Sequence, residues 1–100
     1  MTDTKQIVKN LKKYKPEKII LFGSHAWGKP NASSDVDILV IKNSKLPKRF
    51  RTTQAEKFLS KFPHPTDVIV YTPQEIEERI KMGDFFINLI LEKGQVLYEK

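Results

Sequence analysis

Residues 21–40, LFGSHAWGKPNASSDVDILV, decide how this chain folds and where its chemistry lies. They hold the end of one apolar run, a Gly23-Ser24 turn, ten residues rich in glycine, proline, asparagine and serine, and an acid pair, Asp35 and Asp37, that opens a second apolar run. Short apolar runs bounded by turn residues are the pattern of buried strands, so residues 18–22 and 36–41 read as two strands joined by a loop. Asp37 does not fit a purely structural reading. It is flanked by Val36, Ile38, Leu39 and Val40, and a carboxylate in a strand that otherwise belongs to the core needs a charge partner or a use.

Working outward, Ile7, Val8, Leu11 and Tyr14 recur at helical spacing between lysines, which predicts an amphipathic helix from about Thr4 to Tyr14, ended by Pro16. On the other side, a turn at 43–47 precedes a predicted helix from about Lys48 to Phe62, stopped by Pro63 and Pro65. Thr66 to Tyr71 is a third strand with Asp67 at its start. Thr72-Pro73 then supplies an N-cap and a first-turn proline for a helix to about Lys81, where Gly83 breaks it. A last helix from about Asp84 to Lys93 stops at Gly94, before a short strand from Gln95 to Tyr98. This order predicts an α/β (α+β) architecture in a single domain over residues 1–100: one small mixed sheet with helices packed on it. The last helix carries Phe85, Phe86, Ile87, Leu89, Ile90 and Leu91 around most of its circumference, so a sheet alone cannot cover it. Either the first or the preceding helix covers the rest, or a partner protein or second copy does.

The 100 residues, 39% of them hydrophobic and 30% charged, suit a small folded domain with no room for a second, substrate-binding one. With no cysteine, disulfides, thiolate zinc sites and cysteine nucleophiles are excluded, and a cytoplasmic location is the expectation. No apolar stretch approaches the roughly 20 residues of a membrane span. The net charge of +6 favours anionic partners. Its basic segments, Lys9 to Lys18 and Lys42 to Arg51, form no strand of alternating aromatic and basic residues, no zinc pattern and no helix-turn-helix, so they read as solvated faces and nucleic acid is not the expected direct partner.

Side chains at i and i+2 of a strand share a face roughly 6.5–7 Å apart, so Asp35 and Asp37 project together. Two like charges so placed repel, and either a proton or a cation relieves them. Mg²⁺ takes carboxylate oxygen and is commonly held by one or two carboxylates plus substrate phosphates. Asp67, from a neighbouring strand, is the candidate third ligand for a two-metal arrangement. At the Gly23-Ser24 turn, the missing side chain of Gly23 allows close approach of an anion, while the Ser24 hydroxyl and following amides can donate to phosphate oxygens.

Gly23-Ser24, ten residues and Asp35-Val36-Asp37 make up G-S-x(10)-D-x-D, and the sequence resembles the polymerase-beta-like nucleotidyltransferase superfamily at this signature. The wider stretch 21–40 and the ending FFINLILEKGQVLYEK are similar to its minimal prokaryotic branch, the MNT domains. The resemblance implies Mg²⁺-dependent transfer of AMP from ATP to an acceptor hydroxyl. It assigns Gly23 and Ser24 to the triphosphate and Asp35, Asp37 and Asp67 to the metals, usually two, with Asp67 also placed to orient or deprotonate the acceptor. One departure stands out: the family often has arginine after Gly-Ser, and this chain has His25, which makes Lys29 the candidate for the missing phosphate contact. MNT domains resemble the antitoxin halves of two-gene modules whose other half is a helical HEPN protein, so a HEPN partner modified by adenylylation is the expectation. A non-catalytic antitoxin acting by contact alone is the alternative, and homo-oligomerisation stays open. Trp27 reads as packing against its own domain rather than stacking on a base, and His64, between two prolines, as a solvated loop residue.

Overall fold

The computed structural model describes residues 3–28 and 35–100. Helix α1 (Thr4–Leu11) opens where the Asp3 side chain accepts from the Gln6 amide at 3.0 Å. It passes into a 3₁₀ turn (Lys12–Tyr14) that ends at Lys15, in the left-handed region at φ 60°. This end is sharper than the continuous helix to Tyr14 that the spacing predicts, because the left-handed residue and Pro16 stop propagation together. Strands β1 (Lys18–Phe22) and β2 (Val36–Ile41) follow, separated in part by a one-turn helix, α2 (Ser24–Trp27). Then come α3 (Lys48–Phe58), β3 (Thr66–Tyr71), α4 (Pro73–Lys81), α5 (Phe85–Lys93) and β4 (Gln95–Glu99).

The sheet order is β3-β2-β1-β4. β1 lies antiparallel to both β2 and β4, while β2 and β3 run parallel. Alternation along the strands divides the core in two. Ile19, Leu21, Val36, Ile38, Val40, Val68 and Val70 pack beneath α1 and α3, with Ile7, Leu11, Ala55 and Leu59. On the opposite face Ile20, Phe22, Leu39, Ile41 and Tyr71 meet Ile76 of α4 and Ile87 and Ile90 of α5.

Two details correct the reading of the sequence, and a third decides between the two helices it offered as cover for the last one. Helix α3 ends at Phe58, four residues short of Phe62, and the chain finishes in turns that carry Leu59 and Phe62 into the core. Pro63 disfavours helical geometry at Phe62 and has no N–H to bond the Leu59 carbonyl, so the last predicted turn cannot close as α-helix. The segment after Gly23, read as loop, contains α2. Finally, α1 lies on the far side of the sheet from α5, so the covering helix is α4, and it leaves Phe85 79% and Phe86 48% exposed.

Arg51 of α3 is buried although it sits in a basic segment. Its guanidinium donates to both carboxylate oxygens of Glu75, at 2.6 and 2.9 Å, and to the carbonyls of Val70 and Leu46. Glu75 in turn completes a capping box with Thr72 at the start of α4. This one ion pair joins α3, β3 and α4 at the end of the sheet where β3 finishes.

Candidate active site

At the other end of the sheet β1 finishes while β2 and β3 begin. Phe22 is opposite Asp37 in the β1–β2 ladder, and Asp37 is opposite Asp67 in the β2–β3 ladder. Parallel neighbouring strands lie about 4.8 Å apart, and matched register puts both carboxylates on the α4/α5 face. Asp35, just before β2, shares that parity. Asp35 and Asp67 are exposed and Asp37 is half-buried.

The electrostatics follow from this placement. Burial pushes the Asp37 carboxyl above the ordinary aspartate range, the charges of Asp67 and then Asp35 push it further, and His25 pulls it back in part. Asp37 is therefore the member under strain from its neighbours. Among the described residues no three His, Asp or Glu side chains close into one metal-ligating cluster. The acids share a face rather than form a finished cage. An all-oxygen set with excess negative charge fits Mg²⁺, which takes one or two protein carboxylates and leaves its remaining positions to water and phosphate.

Gly23 has φ +77° and lies against the Asp37 side chain. A methyl group on its α-carbon would stand 3.0 Å from Cγ of Asp37 and overlap Oδ2. Both the backbone angle and the space therefore require glycine. The Gly23 carbonyl accepts from the amides of Ala26 and Trp27 at 3.0 and 2.9 Å, which coils α2 directly after the turn. Of the residues read as site candidates, Gly23, Ser24, Asp35, Asp37 and Asp67 gather at this end of the sheet, and His25 joins them. Lys29 lies outside the described residues.

Trp27 is a site neighbour whose connection the sequence did not reveal. Its indole N–H donates to the carbonyl of Lys93 at the end of α5, at 2.6 Å, and its ring lies 6.3 Å from that of Phe22. Phe86 meets Phe22 edge-on at 5.6 Å. The expectation that Trp27 packs on its own domain agrees with these contacts, although 41% of the residue stays exposed. His64 is exposed, edge-on to Phe62. Among the described residues no helix is long and apolar enough to cross a membrane.

A fold with helices on both faces of a mixed sheet, and a glycine-serine turn facing converging aspartates, is that of a nucleotidyltransferase. The family model described as "Nucleotidyltransferase domain" matches residues 3–97, and the chain belongs to that family. It is 34% identical over 82 residues to a protein of Methanocaldococcus jannaschii that carries the provisional name protein adenylyltransferase, covering 82% of this chain and 78% of the relative. Two solved structures share the fold. One is a toxin-antitoxin crystallised with AMP-PNP (TM-score 0.65, 22% identity, 99% of this chain and 75% of that one). The other is a toxin-antitoxin MntA-HpeT mutant in which two aspartates, two positions apart, are replaced by glutamate (TM-score 0.63, 20% identity, the same coverage).

Proposed function

We propose that this nucleotidyltransferase transfers AMP from ATP to a hydroxyl group of a partner protein, a toxin of the helical HEPN type, and acts as its antitoxin. The observation that carries the reading is the register Phe22–Asp37–Asp67, which brings the end of the glycine-serine strand and two carboxylates side by side. The provisional name of the archaeal relative supports adenylylation, and the toxin-antitoxin structures, one of them with AMP-PNP, support a toxin partner and an adenine nucleotide.

In this account the Gly23-Ser24 turn receives the triphosphate, with the Ser24 hydroxyl and nearby amides donating to its oxygens. Asp35, Asp37 and Asp67 hold Mg²⁺, which when bound neutralises charge on the phosphates and on the attacking oxygen. Asp67, on the exposed side, orients the acceptor hydroxyl and takes its proton. The acceptor oxygen forms a bond to the α-phosphorus while the bond from that phosphorus to the bridging α–β oxygen breaks, and pyrophosphate leaves. Such chemistry needs positioning and charge neutralisation more than a covalent intermediate, so a chain of 100 residues suffices.

The test is transfer of label from α-labelled ATP, with Mg²⁺, to a purified HEPN-type toxin from the same organism, comparing native protein with the double variant Asp35→Asn/Asp37→Asn. Label on the toxin with the native chain alone supports the reading. Absence of label, with the toxin neutralised equally by both versions, would instead make the protein a contact antitoxin.

A further inference from the structure

We infer that Trp27 is a positioning residue for nucleotide binding, tying the Gly23-Ser24 turn to the end of α5. The inference rests on the triphosphate reading of that turn. Two hydrogen bonds meet at this residue. Its backbone amide donates to the carbonyl of Gly23 at 2.9 Å, and its indole N–H donates to the carbonyl of Lys93 at 2.6 Å. The Lys93 carbonyl is one of the last in α5, and such carbonyls have no partner within their own helix, so the indole supplies what the helix end lacks.

The turn needs an outside anchor. Helix α2 has only four residues, too few to hold its geometry by helical bonding alone. On one side its start is fixed by the fit of Gly23 against Asp37, and on the other Trp27 fixes its end. The Phe22 ring, 6.3 Å from the indole, supports the tryptophan from the strand that leads into the turn. With both ends held, the donors of the turn are already in place when a triphosphate arrives, and less ordering cost falls on binding. The indole N–H thus acts on the phosphates through the backbone of α2 without touching them.

Isothermal titration with AMP-PNP and Mg²⁺ separates this role from a merely structural one, using native chain, Trp27→Phe and Trp27→Ala. Trp27→Phe keeps an aromatic ring against Phe22 and removes only the donor. A hydrogen bond of ordinary net strength corresponds to roughly a three- to tenfold weaker Kd. The expected result is that loss for Trp27→Phe, a larger one for Trp27→Ala, unchanged binding stoichiometry, and in transfer assays a raised KM for ATP with kcat nearly preserved. Two results would overturn the inference while leaving the triphosphate reading intact: Trp27→Phe binding as tightly as native chain, or a variant whose stoichiometry and kcat fall together at unchanged Kd. A native chain that binds no AMP-PNP would remove the triphosphate reading itself, and the inference with it.

Discussion

The side chain of Asp37 rests against the α-carbon of Gly23, with no room between them for a single methyl group. The contact ties the turn after β1 to the start of β2, so the phosphate-facing and metal-facing halves of the proposed site cannot move independently. Replacing Gly23 by alanine forces a side chain onto a backbone at φ +77° and drives Asp37 from its place. We expect Gly23→Ala to cost about 2–3 kcal/mol of stability, from the positive φ together with the overlap, and to abolish detectable AMP-PNP binding. Urea unfolding and calorimetric titration check both; binding at native affinity would contradict the account.

Asp37 gives a prediction in which stability and activity move in opposite directions. Its carboxyl is raised by burial and by Asp67 and Asp35, so the folded state holds the proton more tightly than the unfolded state does. That penalty is absent below the unfolded value, grows as pH rises through the window up to the raised folded value, and is complete above it. Asp37→Asn should therefore raise Tm at pH 7 while lowering transfer by about 10²-fold or more. Millimolar MgCl₂ should raise the Tm of the native chain at pH 7, lose that effect below the Asp37 titration, and leave Asp37→Asn little changed. Thermal scans across pH with and without MgCl₂ provide the check.

The Arg51–Glu75 pair predicts the reverse pH dependence. The Arg51 side chain beside it lowers the Glu75 carboxyl to about 2, so the pair's contribution is full above the ordinary glutamate value and is lost as pH falls towards that figure. Glu75→Gln leaves the buried Arg51 guanidinium without its counter-charge. With the Glu75 side chain itself 36% exposed, the cost should be about 2–3 kcal/mol at pH 7. The two proteins should converge in stability as pH falls towards about 2. Specific transfer activity per folded molecule should not change, because the pair lies at the other end of the sheet.

Helix α5 separates core from surface within three residues. Ile87 is fully buried between α5 and the sheet, so Ile87→Ala should cost about 2–5 kcal/mol. Phe85, 79% exposed, should tolerate alanine within about 0.5 kcal/mol. Denaturant titration of both variants decides it, and a large loss at Phe85 would mean that its ring is covered in the folded chain.

Much of this was legible in the sequence because apolar runs and turn residues carry it. Residues 18–22, 36–41 and 66–71 announce strands, and Thr72-Pro73 announces the start of α4. The D-x-D pair was legible for the same reason, since an acid inside the Val36–Ile41 run contradicts its surroundings. Other features had no such signal. A helix of four residues, α2, is too short to show a period, and the Trp27–Lys93 hydrogen bond joins residues 66 positions apart through a backbone carbonyl, which no residue type marks. Arg51 sits among Lys48, Arg49 and the threonines in the manner of a solvated face, and its burial rests on partners distant in sequence or on the backbone, Glu75 of α4 and the carbonyls of Val70 and Leu46. Pairing Asp67 with Asp37 required knowing that β3 lies parallel to β2, a matter of strand order rather than local pattern.

The most direct measurement of the central claim follows the phosphorus. ³¹P NMR of a reaction containing ATP, Mg²⁺, the chain and the proposed toxin partner, with that partner's intact mass read in parallel, distinguishes nucleotidyl transfer from other uses of ATP. The account predicts pyrophosphate accumulating in step with AMP-modified toxin, and neither product with Asp35→Asn/Asp37→Asn. Release of ADP or orthophosphate as the primary product, or pyrophosphate formed equally by the double variant, would contradict it.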